Sequence, residues 1–204
     1  MTQNKLYVVG LTGGIACGKS HLTQALVEHG APIVDADLVS RSITAPGMPA
    51  LDQLRQVFGD SIFTNGSLNR RALASIVFAD KVRLETLNSI LHPLILTEMD
   101  RQIAEMHDQL CVVAVVPLLY ETSYNSRCDE IWCAYVPQKE QVRRLTTRDG
   151  LTTREALRRI KSQMPALQKA RLSDRVIRTD GTPSESAAKV VMLWQDVLRR
   201  QALV

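Results

Sequence analysis

Apolar residues fall into two kinds of run that alternate from one end of the chain to the other. Short, continuously apolar runs are typical of strands buried on both faces of a parallel sheet. Between them, apolar residues recur three and four positions apart, which is the spacing of an amphipathic helix. Alternating strands and helices predict an α/β fold with about five parallel strands. The predicted strands are 6–11, 31–34, 110–116, 130–136 and 175–179.

The middle of the chain, residues 40–109, has helical spacing and no evident strand pattern. Pro93 is expected to break or kink its last helix at His92, because proline removes a backbone donor and clashes with the preceding turn. We interpret this stretch as a helical insertion on the sheet, of the kind that holds a second substrate. The alternative is a set of helices that only cover the core. The predicted helices are Ala50–Phe58, Asn69–Phe78 and a long one from Lys81 towards His107.

Positive charge is concentrated late in the chain. Residues 139–178 contain 12 Lys or Arg against 4 Asp or Glu, although the whole chain has a net charge of only +4. Two helices separated by Gly150 are predicted there, and Arg144 and Arg148 share one face of the first because they are four residues apart. Such a hairpin is typical of a lid that closes over a nucleotide, and a solvated basic face is the alternative. No aromatic residue falls in this stretch, which disfavours stacking of single-stranded nucleic acid.

Composition limits the remaining classes. With 204 residues, 45% of them hydrophobic, the chain is long enough for one core with inserted subdomains. Its four cysteines have neither metal-binding nor disulfide spacing, which indicates a reducing compartment. The N-terminal residues show no signal-peptide pattern, and no apolar run reaches membrane-spanning length. We therefore expect a cytoplasmic protein without a membrane partner.

The first predicted strand and helix are joined by Gly13–Ser20, which matches the phosphate-binding pattern G-x-x-x-x-G-K-S. Backbone N–H groups of such a loop surround phosphate oxygens, and the following helix adds the positive end of its dipole. Lys19 is expected to reach the β- and γ-phosphates, and the Ser20 hydroxyl to bind Mg²⁺. The alternative is a chance match in a glycine-containing turn. The predicted nucleotide-binding residues are Gly14, Ile15, Ala16, Cys17, Gly18, Lys19, Ser20 and His21.

Two of these positions allow a second interpretation. Cys17 lies in an anion-binding loop, which would favour a reactive thiolate with a redox role. The simpler interpretation is a small side chain that points away from the phosphates. His21 follows the loop at the start of the helix. A solvated helix residue is the commoner role for a lone histidine there.

Two carboxylates follow the second predicted strand, in Asp35-Ala36-Asp37. The carboxyl ends of the strands form the ligand-binding edge of an α/β sheet. Asp35 suits the cap of the next helix, whereas we favour a functional role for Asp37. The strand 110–116 ends at Pro117, where a typical P-loop ATPase has an Asp that helps to hold Mg²⁺. Mg²⁺ would then be held mainly by Ser20, phosphates and water, with Asp37 acting on it only indirectly.

Taken together, these motifs resemble the dephospho-coenzyme A kinase family. The chain has the family's N-terminal strand and loop, Y-V-V-G-L-T-G-G-I-x-x-G-K-S, and its D-A-D after the second strand. The elements follow the family's order over nearly the whole chain. The later ones are L-N-R at 68–70, L-H-P-L-I at 91–95, V-P-L-L-x-E at 116–121, R-D at 148–149 and a run from Gln163 to an Ala-Arg pair ending at Arg171.

The chain departs from the family's pattern at three places. Ala16-Cys17 replaces a commoner Gly-Ser, His21 replaces a commoner Thr, and Arg178-Thr179 replaces a commoner Asn-Asn near the adenine. The first two bear on nucleotide affinity rather than on the reaction. The third weakens an assignment of the adenine site to that strand end.

The resemblance implies a three-layer P-loop kinase fold. It also implies an enzyme that, with Mg²⁺, transfers a phosphoryl group from ATP to the ribose 3′-hydroxyl of dephospho-CoA. By the family's pattern, Asp37 is the general base that orients the hydroxyl and accepts its proton. Lys19, Arg144 and Arg148 would stabilise phosphate charge. The other residues implied on the acceptor side are His92, Pro93, Pro117, Leu118, Leu119 and Glu121. In the helical insertion itself, Arg70 and Arg71 are the best candidates for anion contacts, and the alternative is that these surface arginines are solvated.

We therefore predict a kinase of three parts, a monomer or weak homo-oligomer with no nucleic-acid partner. One alternative is a nucleoside or nucleotide monophosphate kinase of the same architecture. The other is a non-catalytic, nucleotide-dependent switch or a nucleic-acid binder that uses the basic stretch. The predicted parts are a nucleotide-binding core of 1–39, 110–138 and 174–204, a helical acceptor domain of 40–109 and a lid of 139–173.

Overall fold

A computed structural model of the protein describes residues 6–203 and divides into two compact units. One unit contains the chain up to Val34 and from Glu105 onward, and the other is Asp35–Ala104. The strands are β1 Tyr7–Gly13, β2 Ile33–Asp35, β3 Phe63–Thr64, β4 Ser67–Leu68, β5 Cys111–Val115, β6 Glu130–Tyr135 and β7 Arg175–Arg178. The helices are α1 Lys19–Glu28, α2 Ala36–Ile43, α3 Pro49–Phe58, α4 Arg70–Val77, α5 Lys81–Glu105, α6 Gln138–Asp149, α7 Thr153–Lys161, α8 Ala166–Leu172 and α9 Pro183–Ala202. Within residues 6–203, none of them is long and apolar enough to cross a bilayer.

The first unit is built on a five-stranded sheet in the order β2-β5-β1-β6-β7. β1 pairs in parallel with β5 and β6, so that Leu11 lies level with Val115 on one side and Trp132 on the other. β5 is buried along its whole length, as its continuously apolar sequence predicts for an interior strand. The predicted α/β fold and its five strands are confirmed, with the strand ends shifted by one or two residues.

Helices cover both faces of this sheet. On one face, Leu22 and Leu26 of α1 and Trp194 of α9 pack with Leu11 in the main core. On the other face, α8 lies against β1 and β6. The segment after β5 also packs there, since a Cβ at Gly10 would lie 2.8 Å from the Leu119 side chain. The strand that leads into the glycine-rich loop is therefore held rigidly from both sides.

The helical hairpin predicted in the basic stretch is α6 and α7, and it belongs to the first unit. Gly150 ends α6 with a φ of +66°, and Thr152 and Glu155 form a reciprocal capping box at the start of α7. α6 begins at Gln138, three residues before Gln141, where the helical pattern of the sequence begins. A small apolar cluster joins the hairpin to the glycine-rich loop, and its members are Leu145, Ala156 and Ile160 with Ile15, Ala16, Val142 and Leu151.

The second unit contains α2 to α5 and the short β3–β4 hairpin. The expectation of no strand in this stretch is wrong. Asn65 and Gly66 both have positive φ values, 51° and 77°, and form the two-residue turn of the hairpin. Strands of two residues are too short to show alternation, so the Asn-Gly pair was the only usable signal. The core of this unit is Leu54, Phe58, Ile62, Leu73 and Val77.

Of the break or kink expected at His92, the break does not occur, because α5 continues through Pro93 from Lys81 to Glu105. Proline removes one backbone hydrogen bond from a helix interior. Packing on both sides of the proline compensates: Leu84 and Leu91 lie against the core of the unit, and Met99 is fully buried. Tertiary burial therefore outweighs the local preference here.

Candidate active site

The glycines of the loop between β1 and α1 are required by close contacts. A Cβ on Gly13 would collide with the carbonyl oxygen of Ala134 on the neighbouring strand β6. Gly18 is the N-cap of α1 with a φ of +82°, and a Cβ there would lie 3.2 Å from the Thr179 hydroxyl. The strand, loop and helix predicted around Gly13–Ser20 are confirmed.

Ala16 adopts a left-handed backbone conformation, with a φ of +60°. A Cβ makes this conformation costly by about 1–2 kcal/mol, whereas glycine adopts it readily. The departure from the family's pattern at this position therefore stores strain in the loop.

Replacing Ala16 by Gly is expected to stabilise the protein by about 0.5–1 kcal/mol, because the relieved strain exceeds the entropy that glycine adds to the unfolded chain. Urea unfolding measures the difference. Ala188→Gly is the matched control: Ala188 is exposed within α9, so that change should instead cost about 1 kcal/mol. An Ala16→Gly variant no more stable than the parent contradicts the assignment of strain.

The Cys17 side chain is fully buried in the main core beside Leu22 and Ala166. Burial raises the pKa of this thiol, and the nearby charges of Lys19 and Arg144 offset only part of the effect. The structure favours the interpretation of Cys17 as a small side chain turned away from the phosphates. A buried thiol with a raised pKa is a poor redox group.

Lys19 donates hydrogen bonds to the carbonyl oxygens of Gly13 and Gly14, at 2.7 and 3.0 Å. The Lys19 side chain thus folds back over the glycine-rich loop that precedes α1. Ser20 is in the first turn of α1 and is exposed. Both residues stand at the start of the helix that follows the loop, and their binding of phosphates and Mg²⁺ stays a prediction.

Arg144 joins the α6–α7 hairpin to the loop. Its guanidinium donates to the Ala16 carbonyl at 3.1 Å and to both the hydroxyl and the carbonyl oxygen of Thr179. The Thr179 hydroxyl in turn donates to the Cys17 carbonyl at 2.8 Å. Hydrogen bonds from Arg143 and, to a lesser degree, Arg144 lower the pKa of Glu140 to about 2. Arg144 is therefore held with its charge at the loop backbone.

Thr179 and Gln141 are site residues that the sequence patterns did not identify. Thr179 stands at the end of β7, where the chain departs from the family's Asn-Asn. The Gln141 amide donates to the Ile15 carbonyl at 2.7 Å, and only 2% of the residue is exposed. The family's pattern marks the position of Thr179 only by the Asn that Thr179 replaces, and no motif marks Gln141. Each residue acts through a contact that joins distant parts of the chain.

Two predicted ligand residues have other partners. Arg148 pairs with Asp149 at 2.7 Å, with 66% of its side chain exposed, so it does not contact the loop. The His21 ring lies 2.8 Å from the carbonyl oxygen of Pro183 at the start of α9. Neither contact excludes a later contact with nucleotide, and their assignments stay predictions.

A buried lysine organises the segment after β5. Lys169 of α8 has no exposed surface, and its ammonium group donates to the Pro117 carbonyl at 2.6 Å and pairs with Glu121 at 2.9 Å. Glu121 also accepts from the Met164 backbone N–H at 2.8 Å. The Pro117 carbonyl also accepts a hydrogen bond, at 3.3 Å, from the hydroxyl of Thr12 in β1. No sequence pattern predicted this pairing, since a lysine in a basic stretch is expected in solvent.

The acceptor-side prediction also included the two leucines between Pro117 and Glu121. Leu119 is fully buried, so it contributes through packing, whereas Leu118 is half-buried. The Glu121 carboxylate pairs with Lys169 of α8 and accepts from the backbone N–H of Met164, two residues before that helix. Contacts with α8 and with Met164 therefore hold the segment from Pro117 to Glu121 in a fixed position in the first unit.

In the second unit, Asp35 is the N-cap of α2, and its carboxylate accepts from the backbone N–H groups of Asp37 and Leu38. The capping role predicted for Asp35 is confirmed. Asp37 is exposed in the first turn of α2. His92 and Pro93 lie within α5. The Arg70 guanidinium donates to the Thr44 hydroxyl at 2.6 Å.

Known proteins that are similar to this chain include a sequence family, individual relatives and solved structures. A family profile described as dephospho-CoA kinase matches residues 7–185. A dephospho-CoA kinase of Carboxydothermus hydrogenoformans is 41% identical over 193 residues, which are 93% of this chain and 94% of the relative. A Thermus thermophilus crystal structure matches with a TM-score of 0.76 at 29% identity, over 92% of this chain and 97% of that one. A dephospho-CoA kinase structure from Campylobacter jejuni shares the fold, with a TM-score of 0.69 at 23% identity over 93% and 96% of the two chains.

Proposed function

The chain belongs to the dephospho-CoA kinase family, and from that membership we propose that it transfers the γ-phosphoryl group of ATP to the ribose 3′-hydroxyl of dephospho-CoA. The products are coenzyme A and ADP. The reaction breaks the bond between the β,γ-bridging oxygen and the γ-phosphorus, and forms one from the 3′-oxygen to the same phosphorus. The proton of the hydroxyl must leave to a base.

The observation that best supports ATP as the phosphoryl donor is the strand-loop-helix arrangement around Gly13–Ser20. Lys19 is hydrogen-bonded to the backbone of this loop. Its backbone N–H groups and the dipole of α1 suit the phosphates of ATP. Lys19 is bonded to two loop carbonyls, and it would exchange these bonds for phosphate oxygens when the nucleotide binds. The Arg144 guanidinium lies at the same loop and would add positive charge there. Arg148 would join it only by leaving Asp149.

For the acceptor side we propose Asp37 as the general base. It is exposed at the start of α2, directly after β2, and it occupies the position of the family's D-A-D element. Its carboxylate would orient the 3′-hydroxyl and accept its proton as the phosphoryl group transfers. Its neighbour Asp35 cannot share this role, because its carboxylate caps α2.

Mg²⁺ is the expected cofactor, and the donor set at the loop suits it. Ser20 supplies one hydroxyl, and nucleotide phosphates and water would supply the remaining oxygens, as Mg²⁺ usually prefers. Bound there, the ion would neutralise charge on the β- and γ-phosphates. A cytoplasmic location, supported by four unpaired cysteines, and a monomeric or weakly associating state complete the proposal.

The test is an assay of the purified protein with ATP, Mg²⁺ and dephospho-CoA, read by mass spectrometry. Coenzyme A should form only when all three are present. A panel of acceptors that includes nucleosides and nucleoside monophosphates serves as the comparison. No coenzyme A at any Mg²⁺ concentration would refute the proposal, and a better acceptor in the panel would favour a nucleotide kinase.

A further inference from the structure

Three arginines of the second unit have no carboxylate partner among residues 6–203: Arg41 near the end of α2, and Arg70 and Arg71 at the start of α4. Most other cations of this unit are paired. Those pairs are Arg55 with Asp60, Lys81 with Glu85, Arg83 with Asp80 and Arg101 with Glu98.

Arg70 is exposed, but one hydrogen bond holds its guanidinium in place. Its guanidinium donates at 2.6 Å to the hydroxyl of Thr44, which is the C-cap of α2 and only 3% exposed. That hydroxyl donates in turn to the Ser40 carbonyl at 2.6 Å. One end of the Arg70 guanidinium is thereby fixed beside the last turn of α2, which carries Arg41.

The two positive charges lie close enough to affect one another. Burial, followed by the charge of Arg41, lowers the pKa of Arg70. Two like charges brought together without a carboxylate repel, and a bound anion would remove the repulsion. Planar guanidinium groups match phosphate oxygens in particular.

We propose that Arg41 and Arg70 bind the 5′-diphosphate of dephospho-CoA, an inference that rests on the proposed function. The spacing along α2 supports it. Arg41 is four residues after Asp37, so both share one face of the helix with a rise of about 6 Å between them. In the acceptor, one ribose ring separates the 3′-hydroxyl from the 5′-diphosphate. The hydroxyl then lies at Asp37 while the diphosphate lies one helical turn further, at the arginines.

The test is steady-state kinetics of Arg41→Gln and Arg70→Gln. We expect each to raise the KM for dephospho-CoA about tenfold or more, with kcat changed less than about threefold and the KM for ATP unchanged, because a charge-assisted contact to substrate is lost. Arg71→Gln is the matched control: Arg71 is the next residue of α4, it is exposed, and it lies on a different helix face.

Adenosine separates diphosphate binding from a general disturbance, because it has the 3′-hydroxyl but no phosphate. The preference for dephospho-CoA over adenosine, as a ratio of kcat/KM, should fall in both variants. An unchanged KM for dephospho-CoA, or a raised KM for ATP instead, overturns the inference while the production of coenzyme A upholds the proposed function. If the Arg70→Gln variant has a lowered melting temperature, the kinetics of Arg41→Gln alone decide the test, because Arg41 is exposed and its replacement should not affect folding.

Discussion

Replacing Asp37 by Asn is expected to lower kcat by about 10²- to 10⁴-fold, the range over which a positioned general base contributes. The amide keeps the shape of the carboxylate, but it cannot take the proton of the 3′-hydroxyl. ATP binding should survive, because the phosphate loop with Lys19 lies in the first unit and Asp37 in the second. Rates with saturating substrates and direct titration with ATP measure the two effects separately.

Asp35→Asn is the matched control for this variant. It removes a negative charge two residues away, yet asparagine caps a helix about as well as aspartate, so α2 should keep its start. We expect its kcat to change less than about tenfold. If Asp37→Asn turns over at a rate near the parent's, or loses ATP affinity together with turnover, Asp37 is not the base.

Replacing Lys169 by Met is expected to destabilise the protein by about 3 kcal/mol. Breaking a buried ion pair typically costs about 3–5 kcal/mol, and the lower end applies because Glu121 keeps 23% of its side-chain surface exposed. Methionine fills much of the space but leaves the Glu121 carboxylate without its countercharge. It also removes a donor from the Pro117 carbonyl. Urea unfolding measures the loss.

Two further variants make this prediction specific. Lys189→Met, at an exposed position of α9, should change stability by less than about 0.5 kcal/mol. The double variant Lys169→Met with Glu121→Gln should recover part of the loss, because no unpaired charge then remains. A Lys169→Met variant that loses less than about 1 kcal/mol would show that the pair contributes little.

Most of the first unit could be predicted from the sequence because its signals are local. β5 is continuously apolar and fully buried, and the glycine-rich loop follows β1 as the motif requires. The cap at Asp35 was also predicted from the sequence, since its hydrogen bonds join residues only two or three apart. In the second unit, local signals failed at Pro93 and at the β3–β4 hairpin, where packing and a two-residue turn decided the structure.

The candidate site divides in the same way. The motif located the loop Gly13–Ser20 and its Lys19, whereas the roles of Arg144, Arg148 and Asp37 in the reaction remain predictions that rest on spacing and on the family's pattern. No motif singled out Gln141, Lys169 or Thr179. Each of these residues forms its contact across more than 40 positions of the chain.

The sequence by itself therefore determined the sheet, the phosphate loop and the family, because hydrophobic periodicity, glycine conformation and helix capping depend on neighbouring residues. Only the tertiary structure decided which charges are buried and what they hold. Lys169 and Arg144 come from one basic stretch, yet Lys169 is buried against Glu121 while Arg144 binds the loop backbone. Charge alone does not distinguish them, because the difference depends on which partners the fold brings within hydrogen-bonding distance.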